Sequence, residues 1–467
     1  MTVSISNNSN HALVIGGSMA GLLAARILLN HFERVTLVER DHFPSQPQQR
    51  HGVPQGSHVH VLLIQGQQIL NDLFPCLEQE LIAAEVPQIN WTAEWLTYSI
   101  RGWHPRFPSD LKVYACSRNF LEWKIRHLLT ANQKLEILED CQVQNLIANS
   151  DQSQIIGVEL HNRNTNKTQH IQTDFIVDAG GRNSKTPQWL TTLGYQPPQE
   201  TIINSFLGYA SCWYQKPDGF EADWKGLLIE AEPPNKTRGG VLYPVEGNRW
   251  IVTLMGSGKD YPPTDEQEFL DFARSLRHPI LSEVIAKTQP ISPIYSYRRT
   301  ENRLLHYEKL PQLPEGLIAI GDAVCAFNPI YGQGMTTAAL EALMLDKCLQ
   351  KRENLAQFTP YFYQQLYQVI QNPWMLATGE DFRWKTTVGG KANLSTLILQ
   401  KYTDQLMTMT NKNHNIYYIW LKVLHMLEQP TALFHPQFIL QVLQQMAREP
   451  FSTVEDNLSK IPTIFYE

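Results

Sequence analysis

The segment from His11 to Glu39 leaves the chain few folds to choose from. It opens on HALVI, a short apolar run bounded by glycine, the pattern of a strand buried in a parallel sheet. Gly16-Gly17-Ser18-Met19-Ala20-Gly21 follows, and then LLAARILLN, whose apolar residues suit a helix packed on a sheet. Arg34–Glu39, RVTLVE, reads as a second strand ending in an acid, 18 residues past Gly21. Strand, glycine turn, helix, strand and acid in this order predict a βαβ unit that binds a dinucleotide. Glycine lets the backbone approach a pyrophosphate, and the helix N-terminus offers unpaired N–H groups and the positive end of a dipole. Glu39 is placed to accept from a ribose diol, and its neighbour Arg40 is counted with the cofactor site. The pattern departs from G-x-G-x-x-G at its second glycine, which is Ser18. Alone it does not separate NAD from FAD.

A second glycine-rich segment separates them. Leu317–Ile320 (LIAI) reads as another buried strand, running into Gly321-Asp322-Ala323, Phe327-Asn328-Pro329 and Tyr331-Gly332-Gln333-Gly334-Met335, with a helical stretch after it. An acid at a strand end can hold a ribityl hydroxyl. The glycines admit a flat ring, and the helix start aims its dipole at the flavin N1/C2 oxygen region, where reduced flavin is negative. A nicotinamide enzyme has no need of this site roughly 300 residues downstream, so the cofactor expected is FAD. The structural alternative is a turn with a helix cap.

Together these segments resemble the class A FAD-dependent monooxygenases, which have the p-hydroxybenzoate hydroxylase fold. Arg50–Leu63, RHGVPQGSHVHVLL, resembles the RxGVPQGxHxHxLL motif of an epoxidase-like branch that includes bacterial polyether (polyene) epoxidases. Val177–Ser184, Pro187–Leu190 and Leu193–Tyr195 resemble that branch's VDAxGRxSxxPxWLxxLGY, and Ala377–Arg383 another of its segments. The resemblance runs from about residue 11 to at least 390. It implies that Gly16, Gly17, Ser18, Ala20 and Gly21 hold the FAD pyrophosphate and Glu39 the adenosine ribose. Arg118, opening a helix similar to SRxxLExxLR, would contact ribose or phosphate, and the backbone at Val143 would meet adenine. Asp322 would bind ribityl oxygen, and Gly332, Gln333, Gly334 and Met335 the isoalloxazine edge. Arg50, Val53, Pro54 and Gln55 are expected near the flavin on a loop.

One departure bears on the electron donor. Many class A enzymes carry an Asp-Gly motif used for both FAD and NAD(P)H; here Asp178 is kept, but the Asp-Gly step reads Gly180-Gly181. NADPH or NADH acting directly and a partner flavin reductase both remain open as donors. His58 and His60, two apart in a strand-like run, share a face as metal ligands do, but no Cys or acid at ligand spacing accompanies them, and no metal site is assigned.

The fold class expected is mixed α/β: a Rossmann-like FAD-binding domain, an antiparallel β-sheet substrate domain and a C-terminal helical region. The FAD domain must be discontinuous, over 1–85, 105–190 and 300–355; the sheet domain takes 86–104 and 191–299, and the helical region 356–467. Residues Tyr209–Tyr214, Gly240–Tyr243 and Arg249–Leu254 read as antiparallel strands, and Asp265–Leu276 as a helix. Tyr209, Trp213, Tyr243, Phe327 and Tyr331 are candidate substrate-pocket walls, against the alternative that strand aromatics are core. Eleven Trp in an aromatic content of 10% already suggest an apolar cavity. Glu380 and Asp381 read as a helix cap or salt bridge before they read as pocket groups.

The net charge of −6, with no basic run, argues against nucleic acid. No stretch approaches the ~18 apolar residues of a membrane span, and the amphipathic C-terminal stretch lacks a basic face, so membrane association is not expected. MTVSISNNSN lacks the plan of a signal peptide, and six scattered Cys without CxxC read as buried thiols in a reducing cytoplasm.

The activity implied is an FAD-dependent monooxygenase of secondary metabolism. It would insert one oxygen atom from O2 into a small apolar or aromatic substrate, by epoxidation or hydroxylation through a flavin C4a-hydroperoxide. Such transfer needs no protein nucleophile, so no catalytic residue is assigned. The rivals are an FAD-dependent reductase or dehydrogenase of a prenyl-like substrate, a non-enzymatic escort protein and a flavin-dependent halogenase. The last needs a lysine near the flavin tunnel and a WxWxIP-like motif, which the sequence lacks.

Overall fold

The computed structural model describes residues 10–352, 357–411, 413–448 and 464–465. The N-terminal segment read against a signal peptide (all but Asn10) and the domain limits set at 1, 355, 356 and 467 lie outside them.

Five short strands form a parallel sheet in the spatial order Leu317–Ala319, Phe175–Asp178, His11–Ile15, Arg34–Val38, Leu135–Leu138. The central strand is apolar throughout its middle because both faces are covered. Helices Met19–Leu28 and Gly334–Leu349 pack together on one face, and Phe358–Asp381 packs on the second of them. On the other face, Leu13, Ile176 and Leu317 meet Val158 and Leu160 of an antiparallel sheet built from Cys141–Ala148, Ile155–Asn162 and Lys167–Gln172. The parallel strands end together at Ile15, Val38, Asp178 and Ala319, the edge where doubly wound sheets bind ligands.

A seven-stranded sheet stands beside this unit. Its order is Tyr295–Tyr297, Gly208–Gln215, Arg249–Gly256, Arg238–Val245, Gly226–Ile229, Trp95–Ser99, Gly102–Trp103, antiparallel except where Gly226–Ile229 meets Trp95–Ser99. Its side chains alternate with period two. Ala210, Cys212, Leu242, Val252 and Leu254 face helices Glu266–Arg274 and Ile280–Ile285. Tyr209, Val241, Tyr243, Ile251 and Met255 face the other way, toward Tyr417 and Leu421 of helix His414–Leu424. The expected helix at Asp265 is present, and the Asp265 carboxylate caps it by accepting from the amides of Gln267 and Glu268. The C-terminal helices Leu394–Thr410, His414–Leu424 and Pro436–Arg448 share a small core of their own. Helix His414–Leu424 also closes the front of the sheet, because Tyr417 and Leu421 of its apolar stripe find partners there.

Among the described residues no helix is long and apolar enough to cross a membrane. Five cysteines are buried as expected; Cys76 is exposed, because it lies in the short turn before helix Leu77–Ala83.

Candidate functional site

The glycine turn sits at the carboxyl end of the first strand, and its residues are fixed by close approaches. Gly16 has φ +96°, and a Cβ there would stand 2.6 Å from the Ala179 carbonyl oxygen. A Cβ on Gly21 would stand 1.8 Å from the Gly16 carbonyl oxygen. Gly21 therefore lets the helix pass under the turn and does not line the cavity beside it, a correction to the expectation that it touches the pyrophosphate. Ser18 replaces the second glycine without loss of the turn because its hydroxyl is turned aside. It donates to Glu122 at 3.0 Å and accepts from Arg118 Nη2 at 2.7 Å.

Glu39 is more occupied than the sequence implies. Its Oε2 accepts from the Gly17 amide at 2.8 Å and its Oε1 from the Asp41 amide at 3.1 Å, and Arg50 Nη1 lies 3.1 Å away. Its carboxylate ties the turn to the second strand and keeps little free capacity for a ribose. Arg50 lies on a loop as expected, and it also bonds to Glu122 at 2.8 Å, Asp41 at 3.2 Å and the Gly17 carbonyl at 3.1 Å. Arg118 is buried, at 5% exposed. Asp178 is also buried: its carboxylate accepts from the Gly180 amide and the hydroxyls of Ser184 and Thr186, so it shapes the strand end.

The second glycine segment forms a short helical turn, Pro329–Tyr331, a left-handed Gly332 and the start of helix Gly334–Leu349. Asp381, at the end of helix Phe358–Asp381, holds this loop from behind. It accepts from Asn302 at 2.6 Å, Asn328 at 3.0 Å and the Tyr331 hydroxyl at 2.7 Å. The sequence offered a cap or salt bridge here; the residue is a buried acceptor for these three donors and for Ser205. Burial pushes its carboxyl up to about 6, against the pull of those hydrogen bonds. The folded state then holds the proton more tightly than the unfolded chain. The resulting stabilisation is complete below the ordinary value of 3.8 and is lost as pH rises through about 6. Denaturant titrations from about pH 4 to pH 7 are expected to show a decline that Asp381→Asn flattens; an unaltered pH slope in the variant would contradict the arrangement.

One cavity of about 880 Å³ joins these parts, within the 300–1,000 Å³ range of ligand sites. Gly16, Gly17, Ser18 and Ala20 line it with Glu39, Arg40 and Val143 on the parallel-sheet side. Arg50, Val53, Gln55, Arg118 and Asp178 border it, as do Asp322 and the run Gly332, Gln333, Gly334, Met335. The Asp322 carboxylate faces the cavity, with Arg182 Nε 3.8 Å away. Burial raises its pKa, opposed by Arg182 and Arg118.

Of the candidate substrate walls, Tyr209, Phe327 and Tyr331 line the cavity, and Trp213 and Tyr243 do not. Both of the latter lie on the inward face of the large sheet, but too far along it. The cavity meets the strands at Tyr209, Val241, Thr253 and Met255, whereas Trp213 and Tyr243 both pair with Ile251. Tyr243 packs against Trp95, and Trp213 donates to the Ser57 carbonyl under the Arg249 guanidinium. Walls the sequence did not single out are Trp91, Trp95, Trp420 and His425. The spacing of the first pair in NWTAEW was a usable signal. His58 and His60 also border the cavity. Burial pushes them down to about 3 and about 4, so both are neutral; His58 Nδ1 meets Ser211 Oγ at 2.7 Å. Glu380 both pairs with Arg383 at 2.9 Å and lines the cavity.

No family model matches the chain. Protein Rv3254 of Mycobacterium tuberculosis is 31% identical to it over 362 residues, 76% of each chain. Among solved structures, the flavin-dependent brominase Bmp2 superposes on 94% of this chain and 100% of its own, with a TM-score of 0.66 at 14% identity. A flavoprotein/dehydrogenase from Cytophaga hutchinsonii covers 94% of this chain and 100% of its own, with a TM-score of 0.65 at 14% identity. PqsL of Pseudomonas aeruginosa, described as a probable FAD-dependent monooxygenase, covers 80% and 94%, with a TM-score of 0.59 at 15% identity. At these identities the likeness to the solved structures is one of fold. The chain belongs to the family of the mycobacterial protein Rv3254, and its fold is that of the class A flavin-dependent monooxygenases, shared with the flavin-dependent halogenases.

Proposed function

We propose that the protein binds FAD non-covalently and is a monooxygenase of a small apolar or aromatic substrate. The observation that carries this reading is the continuity of one cavity from the turn at Gly16, past the loop at Asp322–Met335, into a compartment walled by Trp91, Trp95, Tyr209 and Trp420.

The residues present fit FAD. Arg118 Nη1, Arg182 Nε and Gln333 Oε1 are buried polar atoms without a hydrogen-bond partner in the protein, and all three residues border the cavity. A Cβ on Gly181 or Gly334 would meet no protein atom within 4 Å, so these glycines leave open space beside it. The turn at Gly16–Ala20 would take the pyrophosphate, with Arg118 supplying charge; Asp322 would accept from ribityl hydroxyls, and Gly332–Met335 would edge the ring. Bound FAD would supply two-electron redox chemistry and, once reduced, the activation of O2. The chain's own part is to offer the Gly334 helix start to negative charge on the ring and to keep water from the aromatic compartment. The electron donor is NADPH or NADH, or a partner reductase.

The halogenase reading draws on the likeness to Bmp2. Against it, the lysine that borders the cavity among the described residues is Lys185, which leads into helix Thr186–Thr192 beside Asp178 and away from the aromatic compartment. The purified protein is expected to be yellow and to release its flavin on acid or heat denaturation. Turnover under labelled O2 should place one labelled atom in the product, labelled water none, and the rate should not depend on chloride or bromide. Undiminished anaerobic turnover would assign a reductase, and halide-dependent product a halogenase.

A further inference from the structure

The compartment beyond the flavin loop contains an ionisable group that oxygen transfer does not use. Glu230 follows the strand Gly226–Ile229, and its amide donates to the Tyr98 carbonyl at 3.0 Å, continuing the strand pairing. By strand alternation its side chain shares a face with Leu228, and both residues line the cavity. No protein hydrogen bond holds its carboxyl among the described residues. The nearest guanidinium, Arg277, is engaged elsewhere: its Nε lies 3.2 Å from Glu232, and its Nη1 donates to the Glu230 backbone carbonyl at 3.4 Å.

The surroundings are short of positive charge. Glu380 and Asp404 border the same cavity, and both are served by one cation, Arg383, at 2.9 Å each. Arg383 is therefore already shared by two carboxylates, and Glu230 has no salt bridge of its own among the described residues. Tyr417, from the helix packed in front, approaches Glu230 as a neutral phenol, its own ionisation opposed by burial. Burial and the neighbouring Glu380 push the Glu230 carboxyl up to about 7. The rest of the compartment favours a cation too. Trp91 and Trp95 stack at 4.5 Å, and His425 meets Trp91 edge-on at 4.7 Å. Indole faces are electron-rich and attract ammonium groups.

We propose that the substrate is an aromatic or apolar molecule bearing a basic amine, whose ammonium is received by Glu230. This rests on the reading above that the aromatic compartment, and not the glycine-lined part, is the substrate's. A carboxylate-bearing substrate is disfavoured there by like charge, and a neutral one leaves the Glu230 carboxylate without a counter-ion.

Three indoles that differ only in their side-chain end test the proposal: tryptamine, tryptophol and indole-3-acetate. They are titrated calorimetrically into the flavin-loaded protein. Tryptamine is expected to bind about tenfold tighter than tryptophol, and indole-3-acetate weakest. The affinity for tryptamine should rise from about pH 6 to about pH 8 as Glu230 ionises. Glu230→Gln should remove the tryptamine preference and leave tryptophol binding unchanged, whereas Glu230→Asp should retain the preference. Equal affinities, tighter binding of indole-3-acetate, no binding of any of the three, or a preference that survives Glu230→Gln would overturn it. Loss of tryptophol binding in Glu230→Gln would also count against it, since a counter-ion leaves the neutral ligand alone. Heat of binding is read without the flavin signal. Flavin content and labelled-oxygen incorporation therefore judge the monooxygenase reading separately.

Discussion

Arg50→Met is expected to destabilise the protein by about 3–5 kcal/mol, the range for removing one partner of a buried ionic cluster. Arg50 is 8% exposed and stands among Glu39, Asp41 and Glu122, which are 5%, 8% and 5% exposed. Burial works against its charge, but the carboxylates of Glu122 and Glu39 outweigh that, and its pKa is raised. Met approximates the length of the side chain and removes the cation, so the loss is chiefly electrostatic. Arg118 remains to serve Glu122 at 2.8 Å, while Glu39 and Asp41 keep only backbone donors. The pH dependence carries a further sign. Burial disfavours the Glu122 charge, yet Arg118 and Arg50 lower its pKa below the ordinary value, so it adds stability above that value that is lost as pH falls through the lowered one. Without Arg50 that contribution shrinks, and the gap between variant and wild type should narrow in acid. A denaturant midpoint shift worth less than about 1 kcal/mol at neutral pH, at unchanged m, would show the cluster to be screened like a surface pair.

The cluster also shows where the sequence stops being legible. Arg50 was placed near the flavin from its motif, but its partners lie 9, 11 and 72 residues away, and the last contact leaves no local pattern. The βαβ unit and the second glycine segment were legible because their chemistry is contiguous: a turn, a cap and a strand end each need particular residues within a few positions. The large sheet was legible in its alternation, which puts Tyr209, Trp213 and Tyr243 on one face. How far along that face the cavity reaches was not, since this depends on where the C-terminal helices end their packing. Tyr209 and Tyr243 therefore look alike in sequence and differ in place. His425 sits in a stretch read as amphipathic helix and Trp420 just before it, but the direction of that stripe was set only by the sheet it covers.

Gly21→Ala and Gly334→Ala are expected to part company, although both add a single methyl to a helical glycine, the first behind the glycine turn and the second on the cavity. At Gly21 the methyl would stand 1.8 Å from the Gly16 carbonyl oxygen and 2.9 Å from its carbon, a clash of Cβ with backbone that no rotamer relieves. The helix must shift from the turn, at a cost above the ~1–3 kcal/mol of ordinary overpacking. Stability and flavin content should fall together, and Gly21→Val should yield little folded protein. At Gly334 the methyl would meet no protein atom within 4 Å. Alanine there should leave stability unchanged or raise it by up to about 1 kcal/mol, the difference in helix propensity. Its methyl would instead occupy space assigned to the isoalloxazine edge, so flavin affinity should drop by about tenfold or more. The pair separates a glycine required by the fold from one required by the ligand. Thermal unfolding of the flavin-free proteins, followed by FAD titration of each, reads the two effects apart. Full flavin affinity in Gly334→Ala would move the ring away from this helix start, and a stable Gly21→Ala would mean that the turn has room the close approach denies.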